Sequence, residues 1–138
     1  MRVDFDVPFV KGKARPRFNA KTRTAYNTTD TKAAENAIAL AYKSESIRRY
    51  GRVVKAPQGV SVAVSIETNR QLPKSTKKSV ASAPDVFKPD VDNIAKLVFD
   101  ALNGIAYEDD AQINEFYIRK HDRARRKART LVIVGWED

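Results

Sequence analysis

The chain contains no cysteine, which excludes a disulfide framework, a thiolate nucleophile and a thiolate metal site. It has a single histidine, His121, in a charged segment, and no role is assigned to it. No apolar run approaches the ~20 residues of a membrane span. The N-terminus, Met1-Arg2-Val3-Asp4, carries charge where a secretory signal would need an apolar stretch. Neither an internal repeat nor a low-complexity tail is present. These absences lead to the expectation of a soluble, cytoplasmic protein without a membrane partner.

What the chain does have is basic charge. Lys and Arg number 26 against 17 Asp and Glu, a formal charge of +9. That excess favours a polyanionic partner, and nucleic acid ranks above lipid. At 138 residues and 42% hydrophobic composition, one domain over residues 1–138 with a single buried core is expected.

Hydropathy periodicity organises the chain. Val3, Phe5, Val7 and Phe9 alternate with polar residues over 2–10, the pattern of a half-buried strand. The stretch 11–23 is basic and reads as a loop or short hairpin ending near Tyr26. Thr28, Thr29 and Asp30 supply N-cap chemistry for an alanine-rich helix that Gly51 stops near Tyr50. Val60, Val62, Val64 and Ile66 mark a second strand. Residues 69–87 are polar and lysine-rich, with a short helix around 75–82 and a mobile loop as equal alternatives. Ile94, Leu97, Val98, Ala101 and Leu102 then fall on one helical face, with Asp92 placed to cap it and Gly104 to end it. Strands are expected at 111–120 and 130–136, joined by a basic hairpin loop over 120–129. The order β-α-β-α-β-β indicates an α/β or α+β domain, a small mixed sheet with two main helices.

The acidic residues are concentrated against this basic background. Asp90, Asp92, Asp100, Asp109 and Asp110 fall within 21 residues. Asn93, Lys96, Asp100 and Asn103 form a polar stripe opposite the apolar face of the second helix. Asp90 and Asp92 stand at the entrance of that helix, and Asp109 and Asp110 follow its end. If the next strand runs back beside the helix, the two pairs approach one another. Two carboxylates ~4 Å apart repel by about 4 kcal/mol at an effective dielectric of ~20, so convergence calls for a cation. Oxygen donors without His or Cys suit Mg²⁺ or Mn²⁺. Lys96 beside them would offset phosphate charge. Each residue also has a plainer reading: Asp92 as a cap, Asp100 as a partner of Lys96, Asn103-Gly104 as a helix terminator, Asp109-Asp110 as turn chemistry.

Residues 88–113, KPDVDNIAKLVFDALNGIAYEDDAQI, resemble the RusA family of Holliday junction resolvases of bacteria, prophages and phages. The shared features are a lysine, an aspartate pair followed by Asn, a lysine four residues on, an Asp-Ala-Leu helix end and Asp-Asp-Ala-Gln. A weaker similarity covers Gly12-Lys13-Ala14-Arg15-Pro16-Arg17-Phe18. The resemblance implies a homodimeric, magnesium-dependent endodeoxyribonuclease that binds four-way DNA junctions and cuts two strands symmetrically. It carries catalytic roles onto Asp90, Asp92, Lys96 and Asp110, and metal binding onto Asp90, Asp92, Asp110 and Asp109. DNA contact is expected from Lys13, Arg15 and Arg17, and from Lys74, Lys77 and Lys78 on charge alone. Two other readings stay open at this point. One is a metal nuclease acting on flaps or other branched DNA, and the other is a non-catalytic junction-binding protein.

Overall fold

Alternation in the sequence becomes a single buried sheet face. The computed structural model describes residues 1–14, 17–26 and 29–138. Strand β1 (Arg2–Val7) buries Val3, Phe5 and Val7 and turns Arg2, Asp4 and Asp6 to its other face. Strands β2 (Arg17–Asn19) and β3 (Thr24–Tyr26) pair antiparallel, the short hairpin expected before Tyr26. Helix α1 (Thr29–Tyr50) buries Ala34, Ile38 and Tyr42 along one stripe, and Gly51 ends it at a φ of 75°. The cap expected at Thr28 lies outside the described residues. The Tyr42 hydroxyl donates to the Val54 carbonyl at 2.6 Å, and Ser46 Oγ accepts from Val54 N at 2.7 Å. These bonds fix the return toward strand β4 (Val62–Asn69), which buries Val62, Val64, Ile66 and Thr68.

Residues 70–81 form turns with no helix, so the loop alternative holds there. The Arg125 guanidinium donates to the carbonyls of Thr76, Lys77 and Val80, pegging those turns from outside. After the two-residue strand β5 (Ser82–Ala83) comes helix α2 (Val91–Leu102), with Ile94, Leu97, Val98, Ala101 and Leu102 buried as the periodicity requires. Asp90, not Asp92, holds the N-cap position, and its side chain makes no capping bond. Asn93 explains the difference: its Nδ2 donates to Asp90 Oδ1 at 2.6 Å, while Ile94 N already bonds the Asp90 carbonyl. Asp92 therefore sits in the first turn, where the helix dipole favours a carboxylate.

A 3₁₀ turn (Asp110–Gln112) leads into β6 (Ile113–Lys120), followed by β7 (Arg123–Ala124) and β8 (Arg129–Gly135). The main sheet runs β1-β8-β4-β6, antiparallel except for the parallel β4–β6 pair. The expected hairpin between the last two strands is thus replaced by a crossover, because β4 lies between β6 and β8. Helix α2 returns the chain parallel to β4 and leaves the other edge of β4 to apolar β8. The connection crosses the end of β4, where His121 N donates to the Thr68 carbonyl and Ala124 N to that of Arg70. It also pairs with β5. Side chains from β1, β4, β8 and both helices join in one hydrophobic cluster, giving a small α+β fold with both helices on one sheet face. Among the described residues no helix is long and apolar enough to cross a membrane.

Candidate functional site

Close backbone contact brings the basic N-terminal segment onto the start of α2. A Cβ at Gly12 would stand 2.7 Å from Pro89 Cβ and 3.0 Å from Asn93 Cβ, so a glycine is needed for this approach. Next in sequence, Lys13 N donates to the Asn93 carbonyl at 2.9 Å. A cleft of about 740 Å³ opens there, lined by Lys13, Ala14, Lys88, Asp90, Asp92, Asn93, Lys96 and Asp100. Asp92, Lys96 and Asp100 recur every fourth residue along the exposed face of α2. Asn93 serves twice, its carbonyl holding Lys13 and its amide orienting the Asp90 carboxylate.

The Lys13 ammonium reaches along the helix to Asp100 Oδ2 and stands 3.6 Å from Glu35 Oε1 of α1. The Asp100 carboxylate holds it above the usual lysine range, against the opposing effect of partial burial. Asp100 therefore pairs with Lys13 rather than with Lys96. Glu35 is an acid that sequence reasoning missed. It lies on an alanine-rich helix far from the motif, and only the packing of α1 on α2 brings it near.

A second missed residue is Asp85. Its side chain is fully buried, with Oδ1 at 3.3 Å from Arg70 Nη1 and 3.8 Å from Lys120 Nζ. The same cations hold the following backbone: Lys120 Nζ donates to the Phe87 carbonyl at 2.5 Å, and Arg70 Nη1 to that of Lys88 at 2.9 Å. Two strand ends thus strap the segment that leads into Asp90.

The acids after α2 are built differently. Asp109 caps the 3₁₀ turn by accepting from Ala111 N, and Gln112 Oε1 accepts from Glu108 N and Asp109 N. Gln112 Nε2 donates to the carbonyls of Pro57 and Val60. Asn103 Oδ1 accepts from Asp110 N at 3.1 Å, which ties the turn to the C-terminal end of α2. The Asp110 carboxyl is pushed above the usual aspartate range by its hydrogen bond to Asp109, then by burial and by the charges of Asp109 and Asp100. Buried Tyr107, whose hydroxyl donates to the Phe99 carbonyl, lies in the same acidic field.

The structure therefore groups Asp90, Asp92, Lys96, Asp100 and Lys13 in one cleft and does not bring Asp109 and Asp110 to its entrance. The N-cap and C-cap of α2 are thirteen residues apart, roughly 20 Å at the helical rise. Asp100 is the link, lining the cleft and also acting on Asp110. Among the described residues no three acidic or imidazole groups form a ready-made metal cage. The donors nevertheless suit a hard cation: Asp90, Asp92 and Asp100 line the cleft with carboxylate oxygens and no imidazole or thiolate stands among them.

The expected DNA contacts are scattered. Lys13 is inside the cleft, Arg15 lies outside the described residues, and Arg17 begins β2. Lys74, Lys77 and Lys78 are exposed in the turns that Arg125 pegs.

None of the curated proteins matches the chain. The family model for the endodeoxyribonuclease RusA matches residues 8–134, a span that contains the cleft, the strap and both acidic groups. On that match, the chain belongs to the RusA endodeoxyribonuclease family.

Proposed function

We propose that this protein is a magnesium-dependent, structure-selective endonuclease that resolves four-way DNA junctions by paired, symmetric nicks, as a homodimer, in recombination and repair. The observation that carries the reading is the cleft at the start of α2, where Asp90, Asp92 and Asp100 stand beside Lys13 and Lys96 in a basic protein. Asp90 and Asp92 are the residues assigned to hold Mg²⁺, with Mn²⁺ as a substitute. When bound, the metal polarises the scissile phosphodiester and makes a bound water a better nucleophile.

The chain's own groups supply the rest. Asn93 fixes the Asp90 carboxylate, so that donor is oriented before substrate arrives. Lys96, one turn beyond Asp92 and exposed, offsets charge on the phosphate. Lys88 adds a cation on the cleft wall and draws the DNA backbone over it, while Lys13, paired with Asp100, offsets negative charge within the cleft. Asp110 and Asp109 enter as metal ligands through the family resemblance; what supports this is the bond from Asp110 N to Asn103 Oδ1, at the far end of the polar stripe that carries Lys96 and Asp100. Symmetry supports the dimer, since a two-fold pair of subunits matches the approximate two-fold axis of a four-way junction.

One gel tests the reading: a four-way junction, a flap and a linear duplex are incubated with the protein in Mg²⁺, and with the Asp90→Asn and Asp110→Asn variants. The expected result is paired nicking of the junction by the wild type, with binding retained and cleavage lost in both variants. Equal cutting of all three DNAs would remove junction selectivity. Wild-type cutting by Asp110→Asn would remove the acids after α2 from the mechanism, and binding without cutting in either metal would leave a junction-binding protein.

A further inference from the structure

Two large apolar side chains stand out on a strapped part of the surface. Val86 is 80% and Phe87 is 59% exposed; they are adjacent in sequence, four and three residues before Asp90. A flexible loop would fold such a pair onto the protein. Here the backbone is held on either side of the tip. Asp85, immediately before it, is buried between Arg70 and Lys120. The carbonyls of Phe87 and Lys88 accept from those same cations, which come from the ends of β4 and β6. The Arg123 guanidinium lies over one face of the Phe87 ring, 5.7 Å from its centroid, and the ring as a whole stays 59% exposed.

We propose that the Val86–Phe87 tip is a base-stacking wedge that engages the unstacked bases at a DNA branch point and so sets selectivity for branched over linear DNA. The proposal rests on the endonuclease reading above and adds to it the residues that recognise the substrate's shape. An aromatic ring on a fixed backbone offers a stacking surface to any base, and such a surface gains most where bases are already unstacked. Three residues of chain span at most about 10 Å, so the wedge holds the branch point within a few nucleotides of Asp90. Exposed Lys88 and the Arg123 guanidinium beside the ring supply the phosphate attraction that brings a branch to the tip.

The test uses a four-way junction carrying 2-aminopurine at the branch point, with Ca²⁺ in place of Mg²⁺ so that binding is read without cleavage. Wild type, Phe87→Ala and Phe87→Trp are each titrated against this junction and against a duplex with the same base. The wild type is expected to raise the branch-point fluorescence. Phe87→Ala should abolish the rise and lower the junction-to-duplex affinity ratio about tenfold, and Phe87→Trp should restore both. The ring is exposed, so the thermal midpoint of Phe87→Ala should match the wild type. An unchanged signal and ratio in Phe87→Ala would overturn the proposal, and an unchanged signal with loss of the dimer on sedimentation would reassign the tip to a subunit contact. A wild type that binds the junction no better than the duplex would instead sink the functional reading, and the wedge with it.

Discussion

The two ends of helix α2 hold the same residue type in different ways. Before the helix, Asp90 sits at the N-cap position yet makes no capping bond, and with Asp92 it faces an open cleft among lysines. After the helix, Asp109 caps a turn, and Asn103 and Gln112 have their side chains engaged by main-chain groups. Acidic density alone therefore does not mark a reactive site. A carboxylate is available for chemistry where it is not spent on capping the backbone, and at the entrance Asn93 orients the free Asp90 carboxylate through its side-chain amide.

Substituting one acid at each end breaks or sharpens this contrast. Asp92→Asn removes a charge from the cleft and no backbone bond. It is expected to lower junction cleavage by about a thousandfold, equivalent to ~4 kcal/mol of transition-state stabilisation. Its urea unfolding midpoint should stay near that of the wild type. Asp109→Asn keeps an oxygen that can still cap the turn, so its effect on cleavage should be much smaller. Parallel single-turnover assays decide the matter: equal losses at both positions would show that the ends are functionally equivalent and the contrast false.

Stability should reverse the ranking, and Gln112→Ala is the sharpest case. Its amide bridges the acidic turn to the Pro57–Val60 segment through both of its polar atoms. At roughly 1 kcal/mol per net hydrogen bond, with some replacement by water, the loss should be about 2–3 kcal/mol of folding free energy. Urea unfolding followed by circular dichroism measures it directly. A loss below ~0.5 kcal/mol would mean that the clamp is cosmetic.

Legibility in the sequence followed the range of the interactions. Strands β1, β4 and β8 and both helices were readable because each buries a local, periodic face. The helix-ending roles of Gly51 and Gly104 were readable too, since a positive φ is a local demand. The crossover of 121–128 was not readable, because pairing β8 with β4 rather than β6 depends on where α2 returns the chain. At the candidate site, the polar stripe Asn93, Lys96, Asp100 and Asn103 followed from spacing alone. Glu35, Asp85 and Arg70 did not, since none lies in a motif and each acts only through contacts made on folding. The anchoring of the basic segment on Asn93 is of the same kind: Gly12 is visible in the sequence, but its nearness to Pro89 is not.

The smallest expected effect tests the one carboxylate that belongs to both descriptions. The Asp110 carboxyl is raised above its ordinary value of 3.8 by Asp109, burial and Asp100, so the folded protein holds that proton more tightly than the unfolded chain. The favourable contribution of the protonated form is fully present below 3.8 and is lost as pH rises through the raised folded value. Asp110→Asn mimics the neutral group at every pH. Its stability should match the wild type at low pH and exceed it increasingly as pH climbs out of the acid range, then level off. The side chain is exposed and solvent screens it, so the plateau should stay under about 1 kcal/mol. Thermal melts across pH measure the difference, and added Mg²⁺ sharpens it. If Asp110 helps to hold the ion, Mg²⁺ should raise the wild-type midpoint at neutral pH more than that of Asp110→Asn, narrowing or reversing the gap. A gap that ignores Mg²⁺ would confine Asp110 to the structural end of the helix, where its neighbours Asp109 and Gln112 already belong.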